Sequence, residues 1–182
     1  MSYEDIEEKM NKTISVFDEN LSEVRAGRAN PKILNKVTVD YYGVPTPINQ
    51  VAGISVPEPR LIVIQPWDVS ILKEIEKAIN MADIGINPNN DGKVIRLAFP
   101  EPTEERRKEL VKGIRKTAEE AKIAIRAIRR EGMDDAKAKN KEGMLTDDEE
   151  KIEEDKIQKL TDKKIEEIDE LLDKKEKEIM SV

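Results

Sequence analysis

The sequence predicts an α+β protein: an elongated three-helix bundle with a small β/α/β domain inserted into it. Two observations carry the class. Apolar residues recur at helical spacing near both ends of the 182-residue chain, while the stretch between 36 and 99 alternates and is rich in β-branched and aromatic residues. A third observation separates the parts, because the junctions 29–31 and 101–103 are short and each contains proline. The expected division is 1–29 and 104–182 for the bundle and 30–103 for the inserted domain. Two neighbouring linkers, Ala29-Asn30-Pro31 and Glu101-Pro102-Thr103, would form a hinge with restricted swing directions.

The elements follow in order. Tyr3, Ile6, Met10, Phe17, Leu21 and Val24 share one helical face, Ser2 is a plausible N-cap, and acidic residues fill the first turn. The pattern is expected to persist to about Arg28, where Pro31 ends it. Lys36 to Tyr42 reads as a strand and Gly43 to Pro47 as a turn. Further strands are expected over Ile54–Val56, Arg60–Gln65 and Val94–Phe99, with a helix from Val69 to Ala82 capped by Asp68 or Ser70. Asn87 to Gly92 has the composition of a loop, and Trp67 is expected as a mostly buried anchor. Thr103 opens a long helix to about Glu142, in which Gly113 and Gly132 would each cost about 1 kcal/mol relative to alanine. Gly132-Met133 puts the straightness of that helix past Arg130 in question. Thr146-Asp147-Asp148-Glu149 is a capping box for a last helix, with Ile157, Leu160, Ile165, Ile168, Leu172 and Ile179 on its core face.

Composition excludes several functions. Cysteine and histidine are absent, so thiolate metal sites, disulfides and the commonest general base are unavailable. No apolar run approaches a membrane span, and the acidic N-terminus does not resemble a secretory signal; a soluble, cytoplasmic protein is expected. The clusters Asp147 to Glu150 and Glu153 to Asp155 lack the alternating ligands of a calcium loop and read as helix N-terminal charge and solvated faces. No nucleophile–base constellation or phosphate-binding glycine loop is present, so no enzyme, metal or cofactor is expected.

Charge is distributed unevenly. The chain carries a net charge of −7, yet residues 106–130 hold ten Lys/Arg against three Glu, and 145–182 hold 15 Asp/Glu against eight Lys. Lys108, Lys112, Arg115, Lys122, Arg126 and Arg129 recur in steps of three, four or seven along one helix face. Leu110, Ile114, Ala121, Ile125 and Ile128 occupy the opposite face, to be buried. A solvated, internally neutralised surface is the plain reading of such a stripe; the surplus of cations favours a polyanion, and structured nucleic acid above all.

Several segments then become recognisable. Ser22 to Pro31, Val39 to Pro47, Asn87 to Arg96, Thr103 to Leu110, Ile125 to Arg130 and Gln158 to Asp162 resemble, in order, the ribosome recycling factor family. The resemblance spans essentially the whole chain. It implies an L-shaped molecule of tRNA-like outline that binds the post-termination ribosome along large-subunit rRNA. With elongation factor G and GTP, it would split the subunits so that they can be reused, hydrolysing nothing itself. By the same resemblance the rRNA-contacting residues are Arg28, at the end of the first helix, and Arg126, Arg129 and Arg130, with Lys122 added from the charge pattern. Arg28 could equally complement the dipole of the first helix. A monomer is expected, with no membrane or DNA partner. Ala127 departs from the polar residue that many members carry between the arginines. A helical protein–protein adaptor remains the alternative, distinguished by binding that salt does not weaken.

Overall fold

The computed structural model describes residues 1–181 and divides into two compact units, Met1–Ala26 with the chain from Thr103 onward, and Gly27–Pro102. The first is a bundle of α1 (Tyr3–Glu23), α3 (Glu104–Lys141) and α4 (Asp147–Met180). The second contains β1 (Thr38–Tyr41), β2 (Val44–Pro47), β3 (Ala52–Glu58), β4 (Leu61–Pro66), α2 (Leu72–Met81), β5 (Asn89–Asn90) and β6 (Ile95–Ala98).

Local chemistry sets the bundle helices. Ser2 and Asp5 form a capping box on α1, and Thr146 and Glu149 form another on α4. Thr103 caps α3 by accepting from the Arg106 amide at 3.1 Å. Ile6, Met10, Phe17 and Leu21 of α1 meet Ile114, Ala118, Ala121 and Ile125 of α3 and Ile157, Leu160, Ile168 and Ile179 of α4 in one core. Tyr3, Val24, Ile165 and Leu172 are only partly buried around it.

The glycine expected to weaken α3 instead makes the packing possible. The helix runs unbroken through Gly132-Met133, and Gly132 is buried. A Cβ there would lie 2.7 Å from Ile6 Cδ1 and 3.2 Å from Ile157 Cδ1, so the three helices converge on a position with no room for a side chain.

In the smaller unit, β1 and β2 form an antiparallel hairpin, and a separate antiparallel sheet has the order β3-β4-β6-β5. Ile62 opposite Leu97 and Ile64 opposite Ile95 place an apolar face against Ile75 and Ile79 of α2. The hairpin corrects the turn expected over 43–47. The turn is Tyr42-Gly43, both with positive φ, and Val44–Pro47 is a strand whose prolines lie in a two-stranded ribbon with a free edge. Asn89-Asn90 adds a short strand inside the expected loop.

The junctions also differ from expectation. α1 stops at Glu23, because Val24 turns to an extended conformation (ψ 114°), well before Arg28. Ala29 donates its amide to Pro59 O at 2.7 Å, Asn30 caps a 3₁₀ turn at Pro31, and Arg60 pairs with Glu101 at 3.4 Å. These residues are therefore fastened into the smaller unit, and the chain crosses between units at 26–27 and 102–103. Gly27 is required at its place: φ is +77° and a Cβ would sit 2.8 Å from Pro102 Cδ and 3.0 Å from Pro100 O.

Candidate nucleic-acid interface

α3 displays the candidate residues because its periodicity sends Ile114, Ala121 and Ile125 inward and leaves the basic stripe outward. The stripe is not uniform. Lys122 lies at the margin of the core with its side chain 18% exposed, and its Nζ is 2.5 Å from Asp169 Oδ1 of α4. Arg129 is half-buried, and donates from Nη1 to Gln158 Oε1 at 2.9 Å. Gln158 in turn donates to Asp162 at 2.9 Å, so the amide is held in the orientation that accepts from Arg129. Arg126 is exposed and reaches Glu119 Oε1 at 3.3 Å. Arg130 is exposed and has no hydrogen bond or ion pair among the described residues.

These environments grade the cations by availability. Arg126 and Arg130 are one helical turn apart and so neighbour each other on the outer face. Arg126 gives up little on leaving Glu119, since exposed pairs contribute only about 0–1 kcal/mol. Arg129 is positioned by Gln158 while retaining further guanidinium N–H donors. Two parallel N–H donors of a guanidinium match two phosphate oxygens, which is the chemistry this face offers. Lys122 is the candidate the structure supports least, because Asp169 already neutralises it.

Segment charge counts missed this pairing across helices. Besides Lys122–Asp169, Arg115 Nε and Nη2 lie 2.5 and 3.2 Å from the two Glu176 oxygens. That hydrogen bond, together with the carboxylate charge, pushes the Arg115 guanidinium above its usual value. Lys108 pairs within α3 with Glu104 at 3.5 Å. The acids of α4 thus consume part of the surplus on α3, and Arg130 keeps its charge unpaired among the described residues.

Arg28 belongs to the smaller unit and lies five residues beyond the end of α1, exposed and partnered. The expected dipole-complementing role does not apply, since the last turn of α1 contains no basic residue. Trp67 is also corrected: it is 72% exposed, because β4 buries Ile62, Ile64 and Pro66 and the chain then leaves the sheet. Among the described residues no group of acidic side chains could hold a metal ion, and no helix is long and apolar enough to cross a membrane.

A bundle of long helices carrying exposed guanidinium groups, joined to a small antiparallel α+β unit, defines the class as a two-unit α+β protein. The sequence model of the ribosome recycling factor family matches residues 17–180, and the chain belongs to that family of non-enzymatic translation factors. It is 65% identical over 180 residues to the ribosome-recycling factor of Acetivibrio thermocellus, covering 99% of this chain and 98% of that one. The corresponding factor of Caldicellulosiruptor bescii is 63% identical over 176 residues, covering 97% and 96%. A ribosome recycling factor solved in solution is 41% identical, with a TM-score of 0.66 and coverage of 98% and 95%. A second similar structure, 46% identical with a TM-score of 0.56, covers 98% of this chain and 97% of its own. It belongs to models for the T. thermophilus ribosome recycling factor and the E. coli elongation factor G bound to the E. coli post-termination complex.

Proposed function

We propose that this protein binds the post-termination ribosome through large-subunit rRNA and, with elongation factor G and GTP, splits the subunits for reuse. The observation that carries the RNA contact is the exposed Arg130, without a partner among the described residues and one turn from the weakly held Arg126. Phosphate contacts of this kind supply affinity and register with little sequence information, as recognition of structured RNA by shape requires. Arg129 joins them, held ready by Gln158, and Arg28 contributes from the smaller unit. The similar T. thermophilus factor, placed with elongation factor G on a post-termination complex, supports the choice of partner and reaction. A ribosomal role assigns the protein to the cytoplasm, acting as a monomer.

The two units would move as separate bodies about the crossings at 26–27 and 102–103. Gly27, free to rotate where a larger residue is not, and the restrained Pro102 give the pivot one permissive and one stiff strand. A push by the GTPase on one unit would then displace the other.

Co-sedimentation with isolated large subunits across a salt series tests the RNA contact. Wild-type binding should weaken steeply with salt, and Arg130→Ala should reduce the slope by about one counterion while leaving the melting temperature unchanged. Salt-insensitive binding, or full affinity in Arg130→Ala, would sink the assignment and favour a protein-adaptor role. Light scattering of post-termination ribosomes with elongation factor G and GTP tests the reaction, which requires a fall in scattering as subunits part.

A further inference from the structure

The β1–β2 hairpin contains a choice that its turn does not explain. Tyr42-Gly43 joins the strands with φ of 49° and 85°, the pattern of a type I′ turn. The first position of that turn favours asparagine, aspartate or glycine, and a bulky residue there is strained by about 1–3 kcal/mol. Tyrosine occupies it, and its side chain is 74% exposed. Its hydroxyl donates to Asp68 Oδ2 at 3.1 Å, tying the hairpin tip to the segment after β4. That segment presents Trp67, 72% exposed, and Val69, also exposed.

The display is selective. The chain has only six aromatic residues, and three of them are exposed on the two segments that this bond joins, Tyr41 and Tyr42 at the hairpin tip and Trp67 beside Asp68. Tyr41 and Tyr42 meet edge to face with centroids 4.7 Å apart, which orients the rings against each other. Two carboxylates lie among them. Asp40 accepts from the Gly43 amide at 2.7 Å, and Asp68 accepts from the Ser70 amide and hydroxyl at 3.0 and 2.7 Å. The Ser70 bonds, with the Tyr42 hydroxyl, hold Asp68 below the usual carboxylate range, so it is ionised at neutral pH. Each carboxylate retains lone pairs for an external donor.

Aromatic faces beside fixed negative charge attract cations and repel phosphate. A guanidinium or ammonium can lie on a ring and donate to a neighbouring carboxylate at once. We propose that Tyr42, Trp67 and Asp68 form a docking site for an arginine- or lysine-bearing segment of a basic protein. The site is distinct from the arginine face of α3, since it lies in the smaller unit and selects the opposite charge.

Trp67 is the sole tryptophan of the chain, so its emission reports on the site directly. The test titrates the full-length protein with a fluorescein-labelled decapeptide of alternating arginine and glycine, following peptide anisotropy and Trp67 emission. Trp67→Leu and Tyr42→Leu keep apolar bulk and remove a π face. Each should weaken peptide binding about five-fold, the effect of one exposed cation–π contact; the circular-dichroism melt should be unchanged for Trp67→Leu and lowered for Tyr42→Leu only by its lost hydrogen bond to Asp68. Asp155→Asn, on α4, removes one charge elsewhere and should weaken binding less than two-fold. Full binding by Trp67→Leu and Tyr42→Leu, with a clear loss in Asp155→Asn, would reduce the effect to bulk charge and overturn the proposal. Quenching of Trp67 by an oligouridine but not by the peptide would also overturn it, pointing to base stacking instead.

Discussion

Gly132 and Gly113 lie in the same helix, yet alanine should act on them with opposite sign. Gly113 is exposed, and a Cβ there meets nothing within 4 Å. Gly113→Ala therefore keeps the whole helix-propensity gain of about 1 kcal/mol. At Gly132 the same gain is opposed by a Cβ 2.7 Å from Ile6 Cδ1, well inside the 3.4–4 Å of ordinary contact. The terminal methyl of Ile6 must move, but Ile6 is 1% exposed and packed on every side. Overpacking of this kind costs about 1–3 kcal/mol, so Gly132→Ala should destabilise by about 1 kcal/mol net. The two substitutions should differ by about 2 kcal/mol.

Urea unfolding followed by helical circular dichroism measures both at constant slope. Removing the obstructing methyl provides the control. Ile6→Val alone should cost about 0.5–1.5 kcal/mol, and in the Gly132→Ala background it should cost less than that or stabilise. If Gly132→Ala is as stable as Gly113→Ala, or the double variant is strictly additive, close approach at Gly132 does not organise the bundle.

Three further outcomes follow from local chemistry. Thr146→Ala removes the acceptor for the Glu149 amide (3.2 Å) and half of the capping box, and should cost about 1 kcal/mol in thermal melting. Arg115→Ala breaks its pair with Glu176, but the arginine is largely exposed, so the denaturation midpoint should hardly move. Asp91 is held down to about 2 by the Val94 and Lys93 amides and then Arg96. Its folded value lies below the ordinary 3.8, so its stabilisation of the 91–96 loop is complete above that value and fades as pH falls toward 2. A carboxyl-carbon NMR titration that places Asp91 near 4 would refute the assignment.

Most of the bundle was legible because helix caps and apolar period act locally. Ser2, Thr103 and Thr146 each cap the helix their sequence announces, and the core faces of α1 and α4 are the expected ones. The strands Leu61–Pro66 and Ile95–Ala98 were legible from alternation. Misreadings arose where a neighbour decides. Gly132 looks like a weak helix former until Ile6 and Ile157 arrive from other helices. Pro45 and Pro47 look like turn residues until β1 supplies a partner with an edge left over. Trp67 looks like a core residue until β4 ends just before it.

The candidate interface shows the same limit in electrostatic form. A charge count along α3 treats each cation as equally available, whereas availability depends on which acids of α4 lie across the helix pair. Asp169 and Glu176 neutralise Lys122 and Arg115, and Gln158 orients Arg129 without neutralising it. A neutral amide is the useful partner there: it fixes one N–H of the guanidinium while leaving the full positive charge for a phosphate. A carboxylate at 158 would hold the arginine as firmly and cancel its charge. Gln158→Glu should therefore weaken large-subunit binding about as much as Arg129→Ala, while the stability of the free protein is kept or raised. Undiminished binding by Gln158→Glu would show that the Arg129 charge plays no part in the contact.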